Sequence, residues 1–172
     1  MSSDPFRPQK PSHITSVTEG LCALTATEAV ARLRAGEVTA AELVEASIAR
    51  IEEVDPKVNA LPIPCFDRAR DMARKLRPED HADNPKSLCG LPIAVKDYND
   101  VGGVRTTYGS PIFAQSVAAQ SDATVRQLER NGAIPMAKAN VPEWAGGNTF
   151  NPVFGATRNP WDLRMSVGGS SG

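Results

Sequence analysis

The sequence predicts an α/β fold, with N-terminal helices followed by the start of a mixed or parallel sheet that helices cover. Three observations predict it. Two helix-start signatures, Thr25-Ala-Thr-Glu28 and Thr39-Ala-Ala-Glu42, stand near the N-terminus. Two short apolar runs, at 91–95 and 133–137, each have strand length. Between them lies one amphipathic stretch, and strand–helix–strand order argues for a βαβ unit with parallel strands.

The elements follow in order. Residues 1–19 read as a flexible leader, because Pro5, Pro8 and Pro11 stand among polar residues. They lack the apolar stretch of a secretory signal. In each Thr-x-x-Glu box the threonine hydroxyl satisfies a free amide of the first turn and the glutamate reaches back. Gly36 sits where the first helix should stop. Val44, Ile48 and Ile51 recur at i, i+4 and i+7 along the second helix, which is expected to end before Pro56. A third helix is expected from Cys65 to Leu76, ahead of Pro78, with a polar loop after it.

LPIAVKD, closed by charge, reads as a buried strand. Ser121-Asp122 opens a further helix that carries Val125 and Leu128 and stops at Gly132. There the Asp122 carboxylate suits the positive helix end as a cap. AIPMA, 133–137, reads as a second buried strand in which Pro135 cannot donate to the ladder. The tail, 140–172, is rich in Gly, Asn and Pro and reads as loops that carry function.

Composition narrows the classes. A chain of 172 residues can bury a sizeable core. Nineteen Lys+Arg against twenty Asp+Glu leave no basic footprint for nucleic acid. No run approaches the roughly 20 apolar residues that span a bilayer. Cys22, Cys65 and Cys89 are odd in number and widely spaced, so they fit neither a disulfide framework nor a metal set. They read as small buried apolar residues in a reducing compartment, which places the protein in the cytoplasm. The two histidines, His13 and His81, stand in loop-like contexts and support no histidine-dependent triad.

Two features carry chemistry. Lys96 ends an apolar strand, and burial there disfavours the charged amine, which makes it a general-base candidate. On spacing alone it reads first as a lysine that extends its head to water or pairs with Asp97. The second feature is the run Gly168-Gly169-Ser170-Ser171-Gly172. Glycines let backbone approach a ligand and expose N–H groups, and serine hydroxyls relay protons. A flexible Gly/Ser linker is the other reading.

Read together with the text between them, the two features gain meaning. GLPIAVKD at 90–97 is followed by Thr106-Thr107 and Gly109-Ser110, then SDATVRQLERNGAIPMAKANVPEW at 121–144, NPVFGATRNPWD at 151–162 and GGSSG. This order resembles the amidase signature family of Ser-Ser-Lys hydrolases. GEVTAAELVEASIARIEEVDPKVNAL at 36–61 is similar to that family's N-terminal region. The resemblance runs over about residues 20–172 and implies the N-terminal part of a single amidase domain, an incomplete amidase signature fold.

Carried over by motif, Lys96 matches the catalytic lysine and Ser170 the bridging serine, whose preceding peptide bond is cis in the family. Here that bond is Gly169–Ser170. The resemblance implies hydrolysis of a small-molecule amide through an acyl-enzyme, with no metal or organic cofactor, no nucleic acid and no membrane. A homodimer is an arrangement open to the full-length protein. Trp144, Gly146 and Gly147 fall on a loop expected to border the substrate. Trp144 serves there as a stacking wall or as a packing anchor, and the glycines leave room for substrate or permit a turn. Ser171 shapes the site's backbone. Thr106, Thr107 and Tyr108 are expected to hydrogen-bond within the loop after Lys96, with Tyr108 also open to substrate contact. Asp97 either orients Lys96 or solubilises the strand end.

The family's nucleophile lies further along, in a second glycine-rich serine motif outside residues 1–172. The chain is therefore expected to be an N-terminal piece, inactive alone, with open strand edges and uncovered apolar faces. Two alternatives stand beside a stand-alone amidase. One is the amidase component of a glutamine-dependent tRNA amidotransferase, whose usual text after the second strand is Asn-Met-Asp-Glu-Phe where this chain has Asn140-Val-Pro-Glu-Trp144. The other is a truncated remnant that binds without turnover.

Overall fold

The computed structural model of the chain describes residues 20–171 apart from Ala82. The expected leader, 1–19, and Gly172 lie outside the described residues. Helices α1 (Ala26–Ala35) and α2 (Ala40–Val58) begin as expected, each on a reciprocal Thr–Glu capping box. Gly36 closes α1 at φ 69°. Helix α2 differs from expectation because it runs through Pro56. The proline stands in the last turn, where the chain is already leaving the helix. Asn59 turns left-handed at φ 58° and donates its N–H to the Asp55 carbonyl. The Asp55 carboxylate accepts from the amides of Ala60 and Leu61. These contacts cap the carboxyl end of the helix just past the proline.

Strand β1 (Ile63–Pro64) leads into α3 (Phe66–Lys75), within a residue of the expected helix at each end. The βαβ unit is β2 (Pro92–Lys96), α4 (Ala123–Arg130) and β3 (Ile134–Ala139), with β2 and β3 parallel. On the other side of β3, β1 runs antiparallel, so the sheet is mixed in the order β1-β3-β2. Pro135 is accommodated by an irregularity. Ile93 faces Pro135 but Ala94 faces Ala137, so Met136 is the extra residue. Strand β2, expected to be buried, is an edge strand instead, with Val95 in the core and Ala94 exposed.

Two further expectations are corrected. Asp122 stands at the N-cap of α4 but makes no capping bond. Its carboxylate accepts instead from the Asp100 amide and the Asn99 side chain, because the loop after β2 folds back over the helix start. The tail is not plain loop. It holds two small antiparallel pairs, β4 (Phe150–Asn151) with β5 (Gly155–Ala156), and β6 (Arg158–Asn159) with β7 (Asp162–Ser166). Of the three cysteines only Cys65 and Cys89 are partly buried, while Cys22 is exposed.

The core has two parts. Leu33, Leu43, Val44, Ile48, Ala69 and Ala73 from the three N-terminal helices pack on Ile134 and Met136 of β3. Val95, Ile63 and Val125, with Val101 and Val104 from the loop after β2, form the second cluster. Each fully buried aliphatic side chain contributes about 1.5–3 kcal/mol. The helix clusters thereby hold β3 as a rigid central strand, and the C-terminal ends of β2 and β3 open onto the loops. Ile112, Phe150, Trp161 and Met165 remain exposed.

Candidate active site

Lys96 is the last residue of β2, at the carboxyl end of a parallel pair. That end is where open α/β sheets place their ligands. Its neighbour in the ladder is Ala139. The strand stops at once, since Asp97 donates its amide to the Ala139 carbonyl and Asn99 donates its amide to the Lys96 carbonyl. The half-buried Lys96 side chain leaves the sheet and donates from Nζ to Ser170 Oγ at 2.7 Å.

Ser170 reaches this point from the far end of the chain. The Thr149 amide donates to the Gly168 carbonyl, and the Val167 amide donates to the Thr157 carbonyl. A Cβ on Gly169 would strike the Gly147 carbonyl oxygen and lie 3.1 Å from Asn148 and from the Thr149 amide. Glycine alone permits that approach. The Gly169–Ser170 peptide bond is cis. Ser171 is exposed beside it, and Ser166 is exposed on β7.

Asp97 neither orients Lys96 nor faces solvent. It is fully buried and accepts from Lys138 Nζ at 2.8 Å. Its other contacts come from the Thr107 amide and hydroxyl. Lys138 also donates to Thr106 Oγ1 at 2.7 Å. The two threonines thus bond to the ends of β2 and β3 as well as within their own loop, where the Gly109 amide donates to Thr107 Oγ1 and the Thr106 amide donates to the Ser116 carbonyl. Burial pushes the Lys138 amine below its ordinary range, and Asp97 opposes that shift. Sequence reasoning missed Lys138. The available signal is a charge inside the strand text IPMAKA, which a buried strand tolerates only if the charge is paired.

A second buried group pins the tail. Asn140 is fully buried and donates to the Asn59 and Gly155 carbonyls and to Thr157 Oγ1. Its Oδ1 accepts from the Val141 amide and from the Asn151 side chain. This network fixes the 140–157 loops against the end of α2.

Trp144 and Gly146 lie on a short 3-10 turn, Glu143–Ala145, and its C-cap. Trp144 stacks on Tyr108 with ring planes 7° apart. The Tyr108 hydroxyl donates to Asp100, and burial raises its titration above the ordinary tyrosine range. The Tyr98 ring lies 5.5 Å from Lys96 Nζ. Among the described residues no cluster of His, Cys, Asp and Glu is placed to hold a metal ion. No helix described is long and apolar enough to cross a membrane. A cavity of about 660 Å³ lies between α1, α2 and α3, lined by Leu33, Val38, Leu76, His81 and Cys89 among others. Neither Lys96 nor Ser170 borders it, so this void is not where the chemistry gathers.

The Amidase family model matches residues 42–172. A glutamyl-tRNA(Gln) amidotransferase component from Oleidesulfovibrio alaskensis is 42% identical over 151 residues, 87% of this chain and 31% of that protein. A Mycobacterium bovis protein named as an amidase, AmiB2, is 44% identical over 139 residues, 80% of this chain and 30% of its own length. The solved structure of 6-aminohexanoate cyclic dimer hydrolase matches with a TM-score of 0.76 at 30% identity, covering 92% of this chain and 31% of that one. The chain thus spans about a third of the length of the relatives it matches. On the family match, the ordered motifs and the shared α/β fold, the chain belongs to the Amidase family.

Proposed function

We propose that this chain supplies the base and the bridging serine of a Ser-Ser-Lys amidohydrolase acting on a small-molecule amide. The observation that carries the reading is the 2.7 Å contact between Lys96 Nζ and Ser170 Oγ, formed across 74 positions of sequence. A nucleophilic serine further along the full-length protein attacks the amide carbonyl. Its proton passes through the Ser170 hydroxyl to the Lys96 amine and returns to the leaving amine. Backbone N–H groups stabilise the oxyanion, and water then releases the acyl group. Side chains, backbone amides and water carry each step. Trp144, Gly146, Gly147 and Ser171 border the substrate. The free cysteines suit a reducing cytoplasm.

A second reading is the amidase component of a glutamine-dependent tRNA amidotransferase, favoured by relatives that carry that name. Against it stands the text Asn140-Val-Pro-Glu-Trp144.

The test uses the full-length protein. Lys96→Ala and Ser170→Ala should each lower kcat by about 10²–10⁴-fold with the fold retained. Undiminished amide hydrolysis in either folded variant overturns the reading. Strict dependence on glutamine and on a partner protein selects the second one. Residues 1–172 expressed alone should show no turnover, and turnover lost on Ser170→Ala in that piece would refute this expectation.

A further inference from the structure

Both of the chain's tyrosines follow Lys96 closely in sequence, and the fold brings Tyr98 to its amine and Tyr108 to Tyr98. The Tyr98 ring, 5.5 Å from Lys96 Nζ, meets Tyr108 edge-on at 5.8 Å between centroids. Trp144 lies parallel to Tyr108 at 6.2 Å. Phe113 closes the group edge-on to both Tyr108 and Trp144. Two hydrogen bonds hold the stack still. The Tyr108 hydroxyl donates to Asp100, and the Trp144 amide donates to the Tyr108 carbonyl. Trp144 adopts φ 53° and Ala145 φ 59°, so the backbone turns left-handed to present the indole.

Two details distinguish this group from ordinary packing. Trp144 is 57% exposed although its ring is fixed. The Tyr98 hydroxyl is buried and finds no partner among the described residues. A buried donor normally has an acceptor, and an oxygen or nitrogen of a bound molecule would supply the one that Tyr98 lacks. Burial, with Glu143 adding to it, raises the titration of Tyr98, so the phenol remains a donor at neutral pH.

We propose that Tyr98, Tyr108 and Trp144 form the specificity wall beside Lys96, and that the substrate is a planar aromatic amide with a hydrogen-bond acceptor on its ring for the Tyr98 hydroxyl. The inference rests on the amidohydrolase reading and adds the substrate class. Flat rings stack on the exposed indole face, and aromatic pairs add selectivity beyond area alone. The orphan phenol discriminates more sharply, because an amide lacking the acceptor leaves it unpaired.

The experiment measures kcat/KM of the full-length protein on three probes: hexanamide, benzamide and pyridine-3-carboxamide. Wild-type protein should prefer them in rising order. Trp144→Ala should lower the benzamide-to-hexanamide ratio about two- to tenfold. Tyr98→Phe, which keeps the ring, should lower the pyridine-3-carboxamide-to-benzamide ratio about tenfold, chiefly through KM. Thermal melting confirms that each variant is folded. If wild-type protein prefers hexanamide, or if both ratios stay constant in folded variants, the inference is overturned and the amidohydrolase reading stands. If wild-type protein hydrolyses no amide at all, the amidohydrolase reading fails and takes the inference with it.

Discussion

Lys138 lies fully buried with its ammonium 2.8 Å from the Asp97 carboxylate, on β3 opposite Val95, the residue before Lys96. The pair joins β2 to β3 and ties both to Thr106 and Thr107. Breaking one side leaves an uncompensated buried charge. Lys138→Met or Asp97→Leu should therefore each cost about 3–5 kcal/mol, whereas the double substitution should cost much less than their sum. Urea denaturation of the four proteins measures the cycle, and additive costs would show that the two groups do not depend on each other.

Gly169 and Gly147 face each other but tolerate different changes. A Cβ at Gly169 meets backbone, while one at Gly147 meets open space at φ +90°. Gly169→Ala should displace Ser170 from Lys96 and abolish turnover in the full-length protein. Gly147→Ala should cost only about 1 kcal/mol of conformational strain and leave most activity. Equal activity in the two variants would contradict this account.

Asn140 satisfies five polar groups from one buried position. Asn140→Leu keeps the volume and orphans those partners, so a loss of about 3 kcal/mol or more is expected, with the 140–157 loops loosening first. Native-state hydrogen exchange reads the order. Exchange that rises uniformly across the chain would argue against a local role.

Asp162 predicts a pH effect confined to the tail. The Arg164 side chain and amide hold its carboxyl down from 3.8 to about 2. The folded value is below the unfolded one, so the contribution is complete above pH 3.8 and disappears as pH falls through about 2. Carbon-detected carboxyl titration should give a midpoint near 2, and Arg164→Ala should return most of the shift. A midpoint near 3.8 in the unsubstituted protein would sink the prediction.

Much of the scaffold is legible in the sequence. The Thr25 and Thr39 boxes, the stop at Gly36 and the βαβ order all rest on contacts between near neighbours or adjacent elements, and each appears as expected. Pro56 misleads because its effect depends on position within the helix, and the left-handed turn at Asn59 with the Asp55 carboxylate settles that position. The hairpins of the tail escape a linear reading because three of their strands have two residues, and the five-residue β7 is exposed over four in a row, so neither shows a period of alternating burial.

The site divides in the same way. Lys96 and Ser170 stand out in the motif text, yet nothing in 74 positions of separation states a distance. The 2.7 Å contact exists because β3 supports β2 and because Thr149 and Thr157 anchor the glycine loop. In sequence Asp97 reads as facing solvent or its neighbour Lys96, but its partner Lys138 is 41 positions away across a parallel ladder. The same holds for the Tyr98–Tyr108–Trp144 stack. Helix starts, turns and strand order follow from chemistry between near neighbours, which a linear reading can see. Pairing of buried charges and convergence of loops depend on which surfaces the core brings together, and that is a property of packing in three dimensions.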